Sequence, residues 1–326
     1  MDKQTFKTHA ISEALGVSNK SNCCRLAYLS AMLKTVGAIE VSRKGAQAMF
    51  SSDNSEIIAS IAKEIKVLYL TEIEIERSKY TSGAKRGSQR YELRVPKGQT
   101  KQLLQDTCAM TVDGEDFTGF VSGISQKLVE YVCCAQTFVR GLFIGCGNIY
   151  VPSTSDDEET KKSEGYHLEF QFNDEETAAD LVKLLATLGI NAKSNVWGVS
   201  YLVYLKEKNA IMHLFQILNM PETTLKLQEI MKERELRGSI NRTVICEAAN
   251  LDKSYIASVE QLQSIQIIEK RDGLSSLSPL LRETALARIA NPRQTLQELA
   301  EILGITKSCL NHRMRKILQL AKDNTI

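Results

Sequence analysis

The chain has 326 residues, 43% of them hydrophobic, with 41 Lys and Arg against 39 Asp and Glu. Its length suits two or three domains with buried cores. The absence of any run of about 18 apolar residues excludes a transmembrane helix, and a net charge of +2 excludes a uniformly basic nucleic-acid coat.

The charge is unevenly divided, so any basic surface must be local. Residues 1–110 hold 17 basic against 11 acidic residues, 111–220 hold 8 against 15, and 221–326 hold 16 against 13. The opening "MDKQTFKTHA" lacks the apolar run of a secretory signal, so a cytoplasmic location is expected. Among eight cysteines, Cys23–Cys24 and Cys133–Cys134 are adjacent pairs, no C-x-x-C occurs, and the four histidines lack ligand spacing. They are read as reduced structural thiols, with no metal and no cofactor.

In chain order, the first informative stretch is "CCRLAYLSAMLKTVGAI", residues 23–39, which returns at an offset of 110 as "CCAQTFVRGLFIGCGNI". Both cysteines, the closing glycine and the last isoleucine coincide. Tyr28 falls opposite Phe138 and Leu33 opposite Phe143. Ala27, Ala31 and Thr35 in one copy, and Thr137, Gly141 and Gly145 in the other, form a small-residue stripe at one-turn spacing. Such stripes predict two helices whose backbones approach closely.

After Gly37 the pattern predicts strands "AIEVSR" and "AQAMFSS", a helix "SEIIASIAKEIKVL", strands "YLTEIEIER" and "QRYELRVP", and a helix at 97–107. After Gly147 it predicts a strand, an acidic loop "STSDDEETKKSEG", a strand "YHLEFQF" and a helix "DEETAADLVKLLATLG". Strands "NAKSNVW" and "VSYLVYLK" and a helix near 207–219 complete the copy. Each half, 1–110 and 111–220, thus reads α-β-β-α-β-β-α, which gives a pseudo-twofold α+β domain.

"VRGLFIGCG" resembles the LAGLIDADG homing-endonuclease signature. The resemblance implies two dyad helices under a DNA-facing saddle of paired sheets. It also implies that the residue before each closing glycine should be an acid holding a divalent metal. Those positions are Val36 and Cys146, and neither is the oxygen donor that Mg²⁺ requires, so no catalytic residue is expected. In the first half, Arg77, Lys79, Lys85, Arg86, Arg90, Arg94, Lys97 and Lys101 face a single acid, Glu92. They read as a solvated face or as accessory phosphate contacts, with Lys85, Arg86 and Arg90 the candidates.

Residues 221–240 read as a charged helical connector, and 241–326 as a helical DNA-binding domain. Within it, Thr295 and Glu298 form a capping box ahead of Leu296, Leu299, Ala300 and Leu303. Gly304 ends that helix and Ile305 plugs the turn. A second helix starts near Lys307, with Leu310, Met314, Ile317, Leu318 and Ala321 as its apolar stripe. The spacing suits a helix-turn-helix, with "LSPLLRETALARIANP" as the first helix of a trihelical unit. Lys307, Ser308, Asn311, His312, Arg315 and Lys316 lie off the stripe, flanked by Arg313, and 306–322 holds no acid. Arg and Lys suit guanine, and Asn suits adenine. The expected DNA-binding segment comprises Thr295, Leu296, Gln297, Glu298, Gly304, Ile305 and Thr306, and continues through Lys307, Ser308, Cys309, Leu310, Asn311, His312, Arg313, Met314, Arg315 and Lys316. An ordinary helical hairpin with a solvated basic face is the bland alternative.

The whole chain resembles the WhiA family of bacterial sporulation and cell-division regulators, on "CCRLAYLSAMLKTVGAIE", "FVRGLFIGCGNI", "INRTVICEAANLDKS" and "TKSCLNHRMRKI". That resemblance implies a nucleoid-associated transcriptional regulator of division, chromosome segregation or sporulation. Its partner would be double-stranded DNA, with other regulators or division proteins as further partners, and no nuclease activity or membrane is involved. The acidic insertion at 153–164 departs from a symmetric saddle. Two other classes stay open: a metal-dependent endonuclease with displaced acids, and a protein-docking platform.

Overall fold

A computed structural model describes residues 3–42, 45–80, 86–113, 116–152 and 165–323. The chain divides into two compact units, Met1–Glu233 and Arg234–Ile326.

In the first unit the duplication is carried through to topology. The first copy runs α2 (Asn22–Thr35), β1 (Gly37–Ser42), β2 (Gly45–Ser52), α3 (Ser55–Tyr69), β3 (Ile75–Lys79), β4 (Gln89–Arg94) and α4 (Lys97–Asp106). The second runs α6 (Val132–Cys146), β7 (Gly147–Tyr150), β8 (His167–Phe172), α7 (Glu175–Thr187), β9 (Lys193–Trp197), β10 (Ser200–Leu205) and α8 (Lys208–Ile217). Their antiparallel sheets have matching orders, β1-β2-β4-β3 and β7-β8-β10-β9. The acidic loop at 153–164 lies outside the described residues.

α2 and α6 pack on each other through the small-residue stripe. A Cβ on Gly141 would lie 2.7 Å from the Ala31 Cβ, and one on Gly145 would lie 2.0 Å from Thr35 Oγ1. Bulk is excluded there because backbone approach leaves no volume for it. Tyr28, Leu29, Met32, Phe138, Leu142 and Phe143 join a continuous core with Phe50, Ile58, Phe170 and Phe215, and the Tyr28 ring borders the seam beside Gly141.

Further elements lie outside the repeat. α1 (Lys3–Gly16) buries Phe6, Ala10 and Ala14, one residue per turn, and the Phe6 ring lies tilted by 53° to that of Phe215 with centroids 6.5 Å apart. The hairpin β5 (Met110–Asp113)–β6 (Asp116–Phe120) and the short α5 (Gln126–Val129) join the copies. Glu13 of α1 accepts hydrogen bonds from the backbone N–H groups of Glu222 and Thr223, both at 2.7 Å. These are orphan donors in the first turn of α9 (Pro221–Asp272), a helix of 52 residues.

The strand expected at "YLTEIEIER" is corrected. Leu70 ends α3 with φ at +55°, and the chain joins the sheet only at Ile75, opposite Leu93. The left-handed residue and the remaining polar stretch absorb the turn from helix to strand.

Gly145→Val is expected to lower first-unit stability by about 1–3 kcal/mol, the usual cost of overpacking a filled core. Adding Thr35→Ala should recover part of that loss. Urea unfolding followed by circular dichroism checks both, and an unchanged midpoint for Gly145→Val would contradict the seam as described.

Candidate nucleic-acid interface

The second unit is built around α10 (Pro279–Ala290), α11 (Leu296–Ile302) and α12 (Lys307–Lys322). Ile265 and Ile268, from the last turns of α9, complete its core with Leu277, Ala285, Leu299, Ala300, Leu310, Met314, Ile317 and Ala321. The expected three helices therefore have a fourth partner.

The capping box forms at the start of α11. The Glu298 N–H donates to Thr295 Oγ1 at 3.3 Å, and the Thr295 N–H donates back to Glu298 Oε2 at 2.7 Å. The Thr295 N–H bond holds the Glu298 carboxyl below its ordinary value, with the Thr295 hydroxyl assisting. At the turn, Gly304 has φ at +63°, where a Cβ would be strained. The Ile305 N–H donates to the Ala300 carbonyl at 3.0 Å, which closes the helix end. Thr306 then caps α12 by accepting from the Cys309 N–H at 3.2 Å.

The α10–α11 loop is held by a residue the sequence reading passed over. Arg288 is 1% exposed and donates from Nη1 to the Gln294 carbonyl at 2.6 Å and the Asn291 carbonyl at 3.3 Å. An arginine in an amphipathic helix reads as solvent-facing, so only its i, i+4 position after the buried Thr284 could have signalled it.

Periodicity sorts the α12 residues. Leu310, Met314, Ile317 and Ala321 are buried, and Leu310 and Met314 pack in the core of this unit. Leu318 is only half-buried, and Leu320 packs on the core in its place. On the opposite line stand Ser308, His312, Arg315 and Gln319, all exposed, with Lys307, Cys309 and Lys316 exposed beside them and Asn311 half-buried. Gln319 extends this face one turn beyond the expected segment. Arg313 points the other way and pairs with Glu283 of α10 at 3.3 Å. Gln297 and Glu298 are exposed and Leu296 is part-buried.

In the first unit, the ends of α2 and α6 line a cavity of about 630 Å³, with both Val36 and Cys146 in its lining. Lys7 and Thr8 of α1 also line it, and Asp53 is the one acid among its described lining residues. Burial pushes the Cys146 thiol up to about 12, so it is neutral at physiological pH. Lys7 donates to Asn148 Oδ1 at 3.1 Å across this end.

Comparison with known proteins follows the same division. Family models for the WhiA N-terminal LAGLIDADG-like domain, the WhiA LAGLIDADG-like domain and the WhiA C-terminal HTH domain match residues 22–108, 135–237 and 240–321. A curated relative from Oceanobacillus iheyensis is 32% identical over 315 residues, covering 96% of this chain and 95% of its own length. The chain belongs to the WhiA family. A relative from Bacillus subtilis is 32% identical over 305 residues, covering 93% and 92% of the two chains, and both relatives are named "Probable cell division protein WhiA". The solved full-length DUF199/WhiA from Thermatoga maritima shares the fold, with a TM-score of 0.56 and 23% identity over 97% of each chain.

The accessory residues of this WhiA family member are not equivalent. Arg86 is exposed, and Lys85 lies outside the described residues. Arg90 pairs with Glu92 at 2.7 Å and lies over the Tyr80 ring at 5.3 Å. Arg77 lies over the Tyr91 ring at 5.3 Å, and Arg94 pairs with Glu40 at 2.9 Å. Much of the first-half basic run therefore already has partners within the protein.

Arg288→Met removes the donor to the Gln294 and Asn291 carbonyls and should destabilise the second unit by about 3 kcal/mol, the scale for losing charge-assisted hydrogen bonds. Amide hydrogen exchange over residues 292–305 should accelerate accordingly. Unchanged exchange would show that the loop does not depend on Arg288.

Proposed function

We propose that this chain binds double-stranded DNA sequence-specifically through α12 and regulates transcription without nuclease activity. The observation that carries the reading is the exposed line Ser308, His312, Arg315 and Gln319, flanked by Lys307 and Lys316, on the second helix of a helix-turn-helix whose residues 306–322 contain no acid. Such a helix fits the major groove, where Arg and Gln side chains meet base edges. Lys307 and Lys316 fix register on the phosphates. Thr295, Thr306 and the α11 N-terminus contribute backbone contacts, and Arg86 is the remaining accessory candidate.

The setting is division, chromosome segregation or sporulation, in the cytoplasm at the nucleoid; the names of the curated relatives support the first of these. Residues 241–326 then serve as the reader, and the duplicated domain as a second contact that raises local concentration on DNA. A docking role for the duplicated domain has one observation in its favour. Val196, Trp197 and Val199, at the β9–β10 hairpin, are 61%, 74% and 90% exposed. A nuclease reading has less behind it, since a single carboxylate, Asp53, lines the dyad cavity among the described residues. Protein with Mg²⁺ should leave supercoiled DNA unnicked, and metal-dependent nicking would revive that reading.

Arg315→Ala combined with Lys316→Ala should abolish sequence-selective binding while circular dichroism stays unchanged. Footprinting on genomic fragments checks this, and an unaltered footprint would remove α12 as the reader.

A further inference from the structure

The first turns of α2 and α6 bring together thiols that are 110 residues apart. The Sγ atoms of Cys23, Cys24 and Cys134 all lie within 4.8 Å of one another. The Cys24 and Cys134 sulfurs, which occupy corresponding positions in the two copies, are 3.9 Å apart. A tetrahedral zinc–thiolate centre with bonds of about 2.3 Å sets neighbouring sulfurs about 3.8 Å apart. We propose that Cys23, Cys24 and Cys134 form a binding site for one thiophilic cation of zinc's class, held across the pseudo-dyad.

The chemistry of the cluster fits that ligand. Cys24 and Cys134 are 6% and 1% exposed, and sulfur is a weak donor and weak acceptor, so each serves the other poorly as a hydrogen-bond partner. The Ser21 hydroxyl lies 3.1 Å from Cys23 Sγ, a polar neighbour beside the cluster. A cation displaces all three protons to solvent and leaves every sulfur at the same oxidation state. Three thiolates on a divalent ion carry a net charge of −1. Arg140, buried and electrostatically coupled to Cys24, supplies a compensating positive charge. Cys23 is exposed, so the fourth coordination position opens to water on that side. Soft ligands at this end of the helix pair contrast with the other end, where Val36 and Cys146 replace the hard oxygen donors that Mg²⁺ needs. The ion would tie the two copies together at the first turn of each dyad helix.

The test uses the full chain, reduced and stripped of metal, titrated with Co²⁺ as a spectroscopic stand-in for Zn²⁺. The expected result is uptake of one Co²⁺ per chain with sulfur-to-cobalt charge-transfer absorption, bleached by added Zn²⁺. That absorption should be lost in Cys23→Ser and Cys134→Ser and kept in Cys246→Ser, whose thiol lies in the other unit. Cys23 is exposed, so Cys23→Ser should retain the native circular dichroism and remain decisive if Cys134→Ser fails to fold. Absence of charge transfer at saturating Co²⁺, or a band that survives Cys23→Ser, would overturn the proposal. So would a chain that takes up no metal and only loses two hydrogens on oxidation, which would make the cluster a disulfide switch.

Discussion

Close approach of the α2 and α6 backbones is the constraint on which the first unit depends. Gly141 faces Ala31 and Gly145 faces Thr35 with no room for further atoms. The large side chains of the same helices, Met32, Phe138 and Phe143 among them, join one core, and sheets of identical strand order form from the two copies. Polar groups are pinned by the same geometry. Arg140 of the second copy donates to Asn19 at 2.6 Å, Asn19 donates to Glu64 at 3.1 Å, and Glu64 pairs with Arg25. Buried charges of this kind persist because each has a partner, and removing one leaves the others exposed to an unfavourable dielectric.

That contact also delivers the two helix ends to one place, and the residues found there limit what chemistry they can support. A valine and a neutral thiol do not hold a hard divalent cation, and Lys7 and Thr8 of α1 stand in the same cavity. The second unit has a different logic. Its core is independent of the first cluster, and its surface helix is fixed by short-range devices: the capping box, a left-handed glycine, the Thr306 cap and the buried Arg288. On the proposed reading, a scaffold derived from a duplicated fold keeps its packing while base recognition resides on a separately built helix.

The parts of this arrangement legible in the sequence are those written in local periodicity. The repeat showed because cysteines, small residues and glycine recur at one offset, and the helix-turn-helix showed because its cap, turn glycine and apolar stripe sit within 27 residues of one another. α1 was missed because, among its described side chains, the fully buried ones are Phe6 and two alanines, set amid polar residues. The β5–β6 hairpin had an Asp113–Gly114 turn signal, but its strands are only four and five residues long. Start of β3 was misplaced because alternating Ile and Glu in 72–76 imitates a strand while Leu70 is still completing the turn. Arg288, the Arg313–Glu283 pair and the thiol cluster depend on tertiary proximity, which residue spacing alone does not encode.

The most direct measurement is site-specific photocrosslinking from position 312 in the full chain, bound to genomic fragments that it enriches. Insertion of α12 into the major groove predicts crosslinks to bases within a short, sequence-defined window, at higher yield than from position 86. Strong crosslinking from position 86 with none from position 312 would contradict the account and assign recognition to the duplicated domain.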